Sequence, residues 1–321
     1  MTTKFEDLSA IDFLLLMDNI DSLDIIRQEY YVIEQNRRSL EESNNEPDNK
    51  GCRQLLLRFL FCIQRYSRAH FIDGYDAYDG QQKYICISDP EAEDCENLWE
   101  SAWCRDVTTI VNISRRKEEE SYQYWSSSEG SEIKWGGFRI KTLKVTKETR
   151  FISTLLCLSD RGNRERWIWH YHYTAWPINN NENDPLMFLS FVCSLNDMYT
   201  LSKKNRPAGW KPGSVLVHCN DGAGSSAVYC ILDICVTQFK HTGTLSVANI
   251  FQKMRRQEHS CLNCDADDYI FCYQAIHMYV LGELGMDQRY LDERKLTRTD
   301  TLLQLSECSV QTSRCGSFSG S

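Results

Sequence analysis

Cys219 lies between a short apolar run, Ser214 to Val217, and a longer one, Ser225 to Phe239. If the first run is a strand and the second a helix, the thiol sits at the positive end of the helix dipole. There a thiolate is favoured, and such thiols titrate at roughly 3.5–7.5. Gly222 and Gly224 let the intervening backbone turn its amides inwards. That makes an anion cradle of His218, Asn220, Asp221, Gly222, Ala223, Gly224 and Ser225 around the sulfur. The same residues also read as a glycine-rich turn with an inert buried cysteine, because one glycine-rich loop is a weak signal.

The elements around this loop follow from apolar periodicity. Ile11, Leu14, Leu15, Leu23, Ile26, Tyr30 and Ile33 recur at three- and four-residue steps and predict helix over residues 1–36. Residues 36–51 are polar and predict a loop. A short apolar run, 83–87, precedes a helix over 94–105 and a strand over 107–113. Residues 114–131 read as a charged, serine-rich loop. Gly137 to Val145 and Phe151 to Leu158 pair as antiparallel strands, and Arg166 to Tyr173 reads as an edge or half-buried strand. Helices are expected over 185–203, 225–239, 244–258 and 266–284, with a buried strand at 214–217. Strands interleaved with helices predict an α/β (α+β) domain on a mixed sheet. The domain spans residues 1–285, and the serine- and threonine-rich stretch 286–321 reads as a flexible tail.

Composition narrows the function classes. Apolar residues make up 42% of the 321 residues, enough for a large core. The net charge of −9 gives no general attraction to nucleic acid or anionic lipid, so neither is an expected partner. The longest apolar run near the N-terminus, Phe13 to Met17, is too short to span a bilayer. Fifteen cysteines scattered through helical and strand-like segments suit reduced thiols in the cytoplasm. Cys261 and Cys264 form a Cys-x-x-Cys pair near His259, but a second ligand pair at suitable spacing is missing, so neither metal nor cofactor is expected. His170 and His172 share a strand face and read as packed beside Trp167 and Trp169.

The loop HCNDGAGSS at 218–226 resembles the signature loop of the protein tyrosine phosphatases, His-Cys, five residues, Arg, then Ser or Thr and Gly. Other segments agree in order: FIDGYD at 71–76, ENLWESAW at 96–103, WIWHYHYTAWP at 167–177 and DYIFCYQAI at 268–276. The resemblance covers roughly residues 10–283. It implies one tyrosine-phosphatase-like domain, a highly twisted mixed sheet flanked by helices with the loop between a buried strand and a helix. The opening FLLLMDNIDSLDIIRQEYYVI resembles the tyrosine-phosphatase-like proteins of bracoviruses in particular.

Against that pattern four positions depart. Ser225 stands where the family has the arginine that holds two phosphate oxygens, an interaction of about 3–6 kcal/mol in all. Ile178 follows Trp176 and Pro177 where the family's general-acid aspartate belongs, a loss of typically 10²–10⁴-fold. Cys264 falls at the position of the glutamine that places water, and Cys52, within NKGCRQ, at the ring-gripping tyrosine. Ala227 replaces the last glycine of the signature. The expectation is a pseudophosphatase: Cys219 is a vestigial nucleophile, and the chain binds host signalling proteins in the cytoplasm, interfering with immune signalling. The alternatives are a weakly active phosphatase with a rebuilt pocket, and a redox-sensing thiol at Cys219.

Overall fold

The computed structural model describes residues 5–43, 69–75, 82–114, 123–176, 184–204, 213–220, 224–257 and 264–285. Contacts group residues 1–277 into one compact unit and 278–321 into a second. The elements are β1 (Leu8–Ser9), α1 (Ala10–Asp18), α2 (Ser22–Ser43), β2 (His70–Ile72), β3 (Tyr84–Ser88), α3 (Cys95–Cys104), β4 (Thr109–Asn112), β5 (Glu132–Trp135), β6 (Phe138–Lys147), β7 (Phe151–Ser159), β8 (Glu165–Tyr173), α4 (Asp184–Lys204), β9 (Val215–Cys219), α5 (Gly224–Thr242), β10 (Thr244–Leu245), α6 (Val247–Gln257) and α7 (Ala266–Glu283). Eight strands make one mixed sheet in the order β2-β3-β9-β4-β8-β7-β6-β5. The α/β class and the mixed sheet are those the sequence implied.

The centre of the sheet is parallel and buried, and its ends are antiparallel. β9 reads VLVHC, is buried throughout, and pairs in parallel with β3 and β4. A strand covered on both faces needs this unbroken apolar run. The long hairpin β6–β7 forms as expected, with a bulge between Thr142 and Lys144. β8 is half-buried, one of the two readings its alternation allowed, and it is not an edge. It is an interior strand, parallel to β4 and antiparallel to β7. Its exposed Trp167 imitates an edge strand in the sequence, whereas Ile168, His170 and His172 are buried on the other face.

One core cluster joins Leu98, Trp99 and Ala102 of α3 to Ile140, Leu156, Leu158 and Ile168 of the sheet. Burying side chains of that size contributes about 1.5–3 kcal/mol each. Behind β3 lies a polar knot. Lys83 Nζ meets Asp233 Oδ2 of α5 at 2.8 Å, with the two side chains only 2% and 3% exposed. Tyr84 and Asn196 also donate to that carboxylate.

α2 is tied to α7 through half-buried Glu29. Tyr269 and Tyr273 both donate to its Oε1, at 2.7 and 2.6 Å. Burial pushes the Glu29 carboxyl above its ordinary 4.5, outweighing the two hydroxyls. A raised folded-state pKa means that ionisation costs stability, so the contribution is complete at low pH and shrinks as pH rises past 4.5. Glu29→Gln keeps an acceptor for both hydroxyls without a charge to bury. Thermal melts from pH 4.5 to 7 are expected to show the melting temperature of wild type falling relative to this variant as pH rises. A constant gap would contradict the assignment.

Candidate active site

Backbone and side-chain contacts fix the end of β9. Asp89 N donates to the Cys219 carbonyl and Ile113 N to the His218 carbonyl, both at 2.9 Å. The segments that leave β3 and β4 thus close over the last turn of the strand. Cys219 is buried, and Ser226 Oγ donates to its sulfur at 3.1 Å. Ser226 belongs to the first turn of α5, so the dipole of a nineteen-residue helix points at the thiol.

Ser225 is the neighbouring residue of that turn. Its hydroxyl donates to the Ile113 carbonyl at 3.4 Å. A hydroxyl has one proton to give. Asn220 and Gly224 flank the loop, whereas Asp221, Gly222 and Ala223 lie outside the described residues, as do Ile178 and Cys52. Trp176 is described and packs on Phe188 and Phe271, with ring centroids 5.1 and 5.9 Å away.

His218 joins a chain of buried polar groups that the sequence did not reveal. Its Nδ1 lies 2.8 Å from Asp89 Oδ1, which also accepts from Ser114 Oγ at 2.5 Å. Its Nε2 lies 2.6 Å from the Tyr124 hydroxyl, and that hydroxyl lies 2.8 Å from His170 Nε2. A hydroxyl between two imidazole nitrogens donates to one and accepts from the other, so one Nε2 carries a proton and the other does not. Burial, then the nearby His218 and His172, hold His170 well below its ordinary 6.5, so it is neutral. Trp99 and Trp135 indoles both donate to the Tyr124 carbonyl, at 3.1 and 3.0 Å, and fix the residue. The stretch expected as loop therefore places a fully buried tyrosine, Tyr124, against His218. His170 stacks with Trp125 at 4.0 Å, on the face opposite Trp167, and not beside Trp167 and Trp169 as its spacing suggested.

The electrostatic result is mixed. Helix and Ser226 favour an anion at Cys219. The Asp89 carboxylate, 7% exposed, brings a buried acidic group to the same strand end. A negative charge there opposes a second one.

Cys264 is surrounded differently from Cys219. Its carbonyl accepts from Tyr30 of α2 at 3.1 Å and from Arg255 of α6 at 3.2 Å. Burial, then Asp268, raise its thiol well above the ordinary range. Cys264 thereby ties α2, α6 and the start of α7 together. Among the described residues no group of His, Cys, Asp or Glu could hold a metal ion, and no helix is long and apolar enough to cross a membrane. Cys261 and His259 lie outside those residues.

The protein-tyrosine phosphatase family model matches residues 61–278. The chain belongs to that family. The probable tyrosine phosphatase protein J2 of Microplitis demolitor bracovirus (isolate Webb) is 31% identical over 87% of this chain and 97% of its own length. Protein J4 of the same virus, also named a probable tyrosine phosphatase, is 31% identical over 84% and 91%. Its tyrosine phosphatase-like protein J3 is 37% identical over 65% and 86%. In this chain Cys219 ends β9 and Ser225 stands in the first turn of α5. Ser226, the signature's Ser or Thr, was overlooked as a functional residue in its own right. Its place directly after the arginine position was the signal for it.

Proposed function

We propose that this tyrosine-phosphatase-like protein is a pseudophosphatase that acts by binding signalling proteins. The observation that carries the reading is Ser225. In place of a guanidinium fork it offers one hydroxyl, already given to the Ile113 carbonyl at 3.4 Å. Asp89 supports the reading, because a buried carboxylate beside the loop repels a phosphate dianion. Ile178 supports it too, since an alkyl side chain cannot protonate a leaving phenolate.

In this proposal the fold persists for its surface. The setting is the cytoplasm of a host cell, and the effect is interference with signalling in immune cells. The bracovirus relatives support that setting. Loss of the arginine weakens phosphotyrosine binding as well as turnover, so the partner is recognised outside the loop.

The second reading, a weakly active phosphatase, is favoured by the Ser226 hydrogen bond to the sulfur, which supports a thiolate nucleophile. Turnover of a generic aryl phosphate by wild type and Cys219→Ser decides between them. The expected result is no difference. Activity that disappears in Cys219→Ser would establish the second reading.

A further inference from the structure

The outer face of the β5–β8 half of the sheet has a pattern independent of the loop. Strand register places three rows across it. Lys134, Arg139, Ser159 and Glu165 form one, Glu132, Lys141, Cys157 and Trp167 the next, and Lys144, Leu155 and Trp169 the third. The inward-facing Ile140, Leu156, Leu158 and Ile168 pack in the core with α3, so these rows point the other way.

Three features set this face apart. First, Lys134 sits directly opposite Arg139, a like-charge pair that destabilises a sheet. Second, among the described residues none of Lys134, Arg139, Lys141 and Lys144 has a carboxylate within ion-pairing distance. Lys134, Lys141 and Lys144 are exposed, and Arg139 donates to Asn163 Oδ1. Third, Trp167 is 65% exposed, and Trp169 stacks on Tyr171 along the same strand at 6.1 Å. An indole in water is a feature of binding surfaces. Between the cations of β6 and the indoles of β8, strand β7 presents Ser159, Cys157 and Leu155. Ser159 and Cys157 are buried beneath their longer neighbours and Leu155 is half-buried, so the exposed groups of this face include Lys134, Lys141, Lys144 and Trp167.

We propose that this face docks an extended acidic polypeptide segment, laid over β7 with its carboxylates on Lys134, Arg139, Lys141 and Lys144 and an apolar side chain on Trp167. The charge pattern selects the occupant. The face holds four cations against Glu132 and Glu165, in a chain of net charge −9. A modestly acidic peptide gains from the cations and can step over the two glutamates. A nucleic-acid strand, with one charge on every nucleotide, meets both glutamates and the repulsive field of the whole protein.

The test is fluorescence anisotropy of the full chain with a labelled glutamate-rich peptide containing tyrosine, beside a labelled oligouridylate. Saturable, salt-weakened binding of the peptide is expected. Lys141→Glu with Lys144→Glu should weaken it roughly five- to thirtyfold, from two exposed contacts. Trp167→Ala should weaken it about tenfold or more. Cys219→Ser should leave it unchanged, which separates this face from the loop. All three sites except Cys219 are at the surface, and far-ultraviolet circular dichroism checks that the variants fold. Peptide binding that ignores both salt and these substitutions overturns the proposal. So does tighter binding of oligouridylate, or a wild-type dimer that the substitutions dissociate.

Discussion

Ser225→Arg combined with Ile178→Asp is expected to raise aryl-phosphate turnover about 10²–10⁴-fold above wild type. The arginine would restore two charge-assisted hydrogen bonds to phosphate, about 1.5–3 kcal/mol each. The aspartate would restore a proton donor. The scaffold is ready for both, because Cys219 already receives Ser226 Oγ at 3.1 Å under the N-terminus of α5. Full recovery, roughly 10⁴–10⁸-fold, is not expected. Asp89 stays buried beside the site, and Cys264 is a buried thiol. Asp89→Asn keeps an acceptor for His218 and Ser114 without the charge, so the triple variant should exceed the double. Steady-state kinetics with Cys219→Ser added to each variant as the zero check this. A folded double variant no faster than its Cys219→Ser form would mean that other positions disable the site.

A loss of about 3–5 kcal/mol in unfolding free energy is expected for Lys83→Met, the typical result of breaking a buried ion pair. Lys83 lies 2.8 Å from Asp233 with both side chains almost wholly buried, and over the Tyr199 ring at 4.6 Å. Methionine fills similar volume but leaves the carboxylate with only the Tyr84 hydroxyl and the Asn196 amide. Domains are stable by about 5–15 kcal/mol, so the loss is a large share. Arg27→Ala is the comparison: its pair with Asp267 is exposed at 43% and 82%, and such pairs contribute about 0–1 kcal/mol. Urea unfolding of both variants checks the contrast. Equal losses would show that the buried pair adds no more than the exposed one.

The parts of this molecule that were legible in its sequence are those encoded locally. An unbroken apolar run before Cys219 gave β9, and two turns of small residues gave the start of α5. Paired runs on either side of residues 148–150 gave the β6–β7 hairpin. What stayed hidden depends on chain distance. Asp89 and Tyr124 reach His218 from 129 and 94 residues away, through sheet register and a loop with no periodicity. For β8 the alternation left two readings open, because it is common to edge strands and to interior strands with one uncovered face, and sheet order decides for the second. Its histidines were misplaced because period alone cannot say that a buried imidazole has a tyrosine hydroxyl waiting for it. Within the loop, residue types singled out Ser225, while the partner of its hydroxyl needed coordinates.

The position of β9 also has a consequence during synthesis. β3 and β4 lie on either side of it, yet β9 follows them in the chain by more than a hundred residues. Until residue 215 leaves the ribosome, each of those two strands exposes a parallel edge to the crowded cell. Exposed edges recruit other strands, and pairings this distant form slowly. The strand that ends in Cys219 is thus the piece that joins the two flanking strands of the sheet.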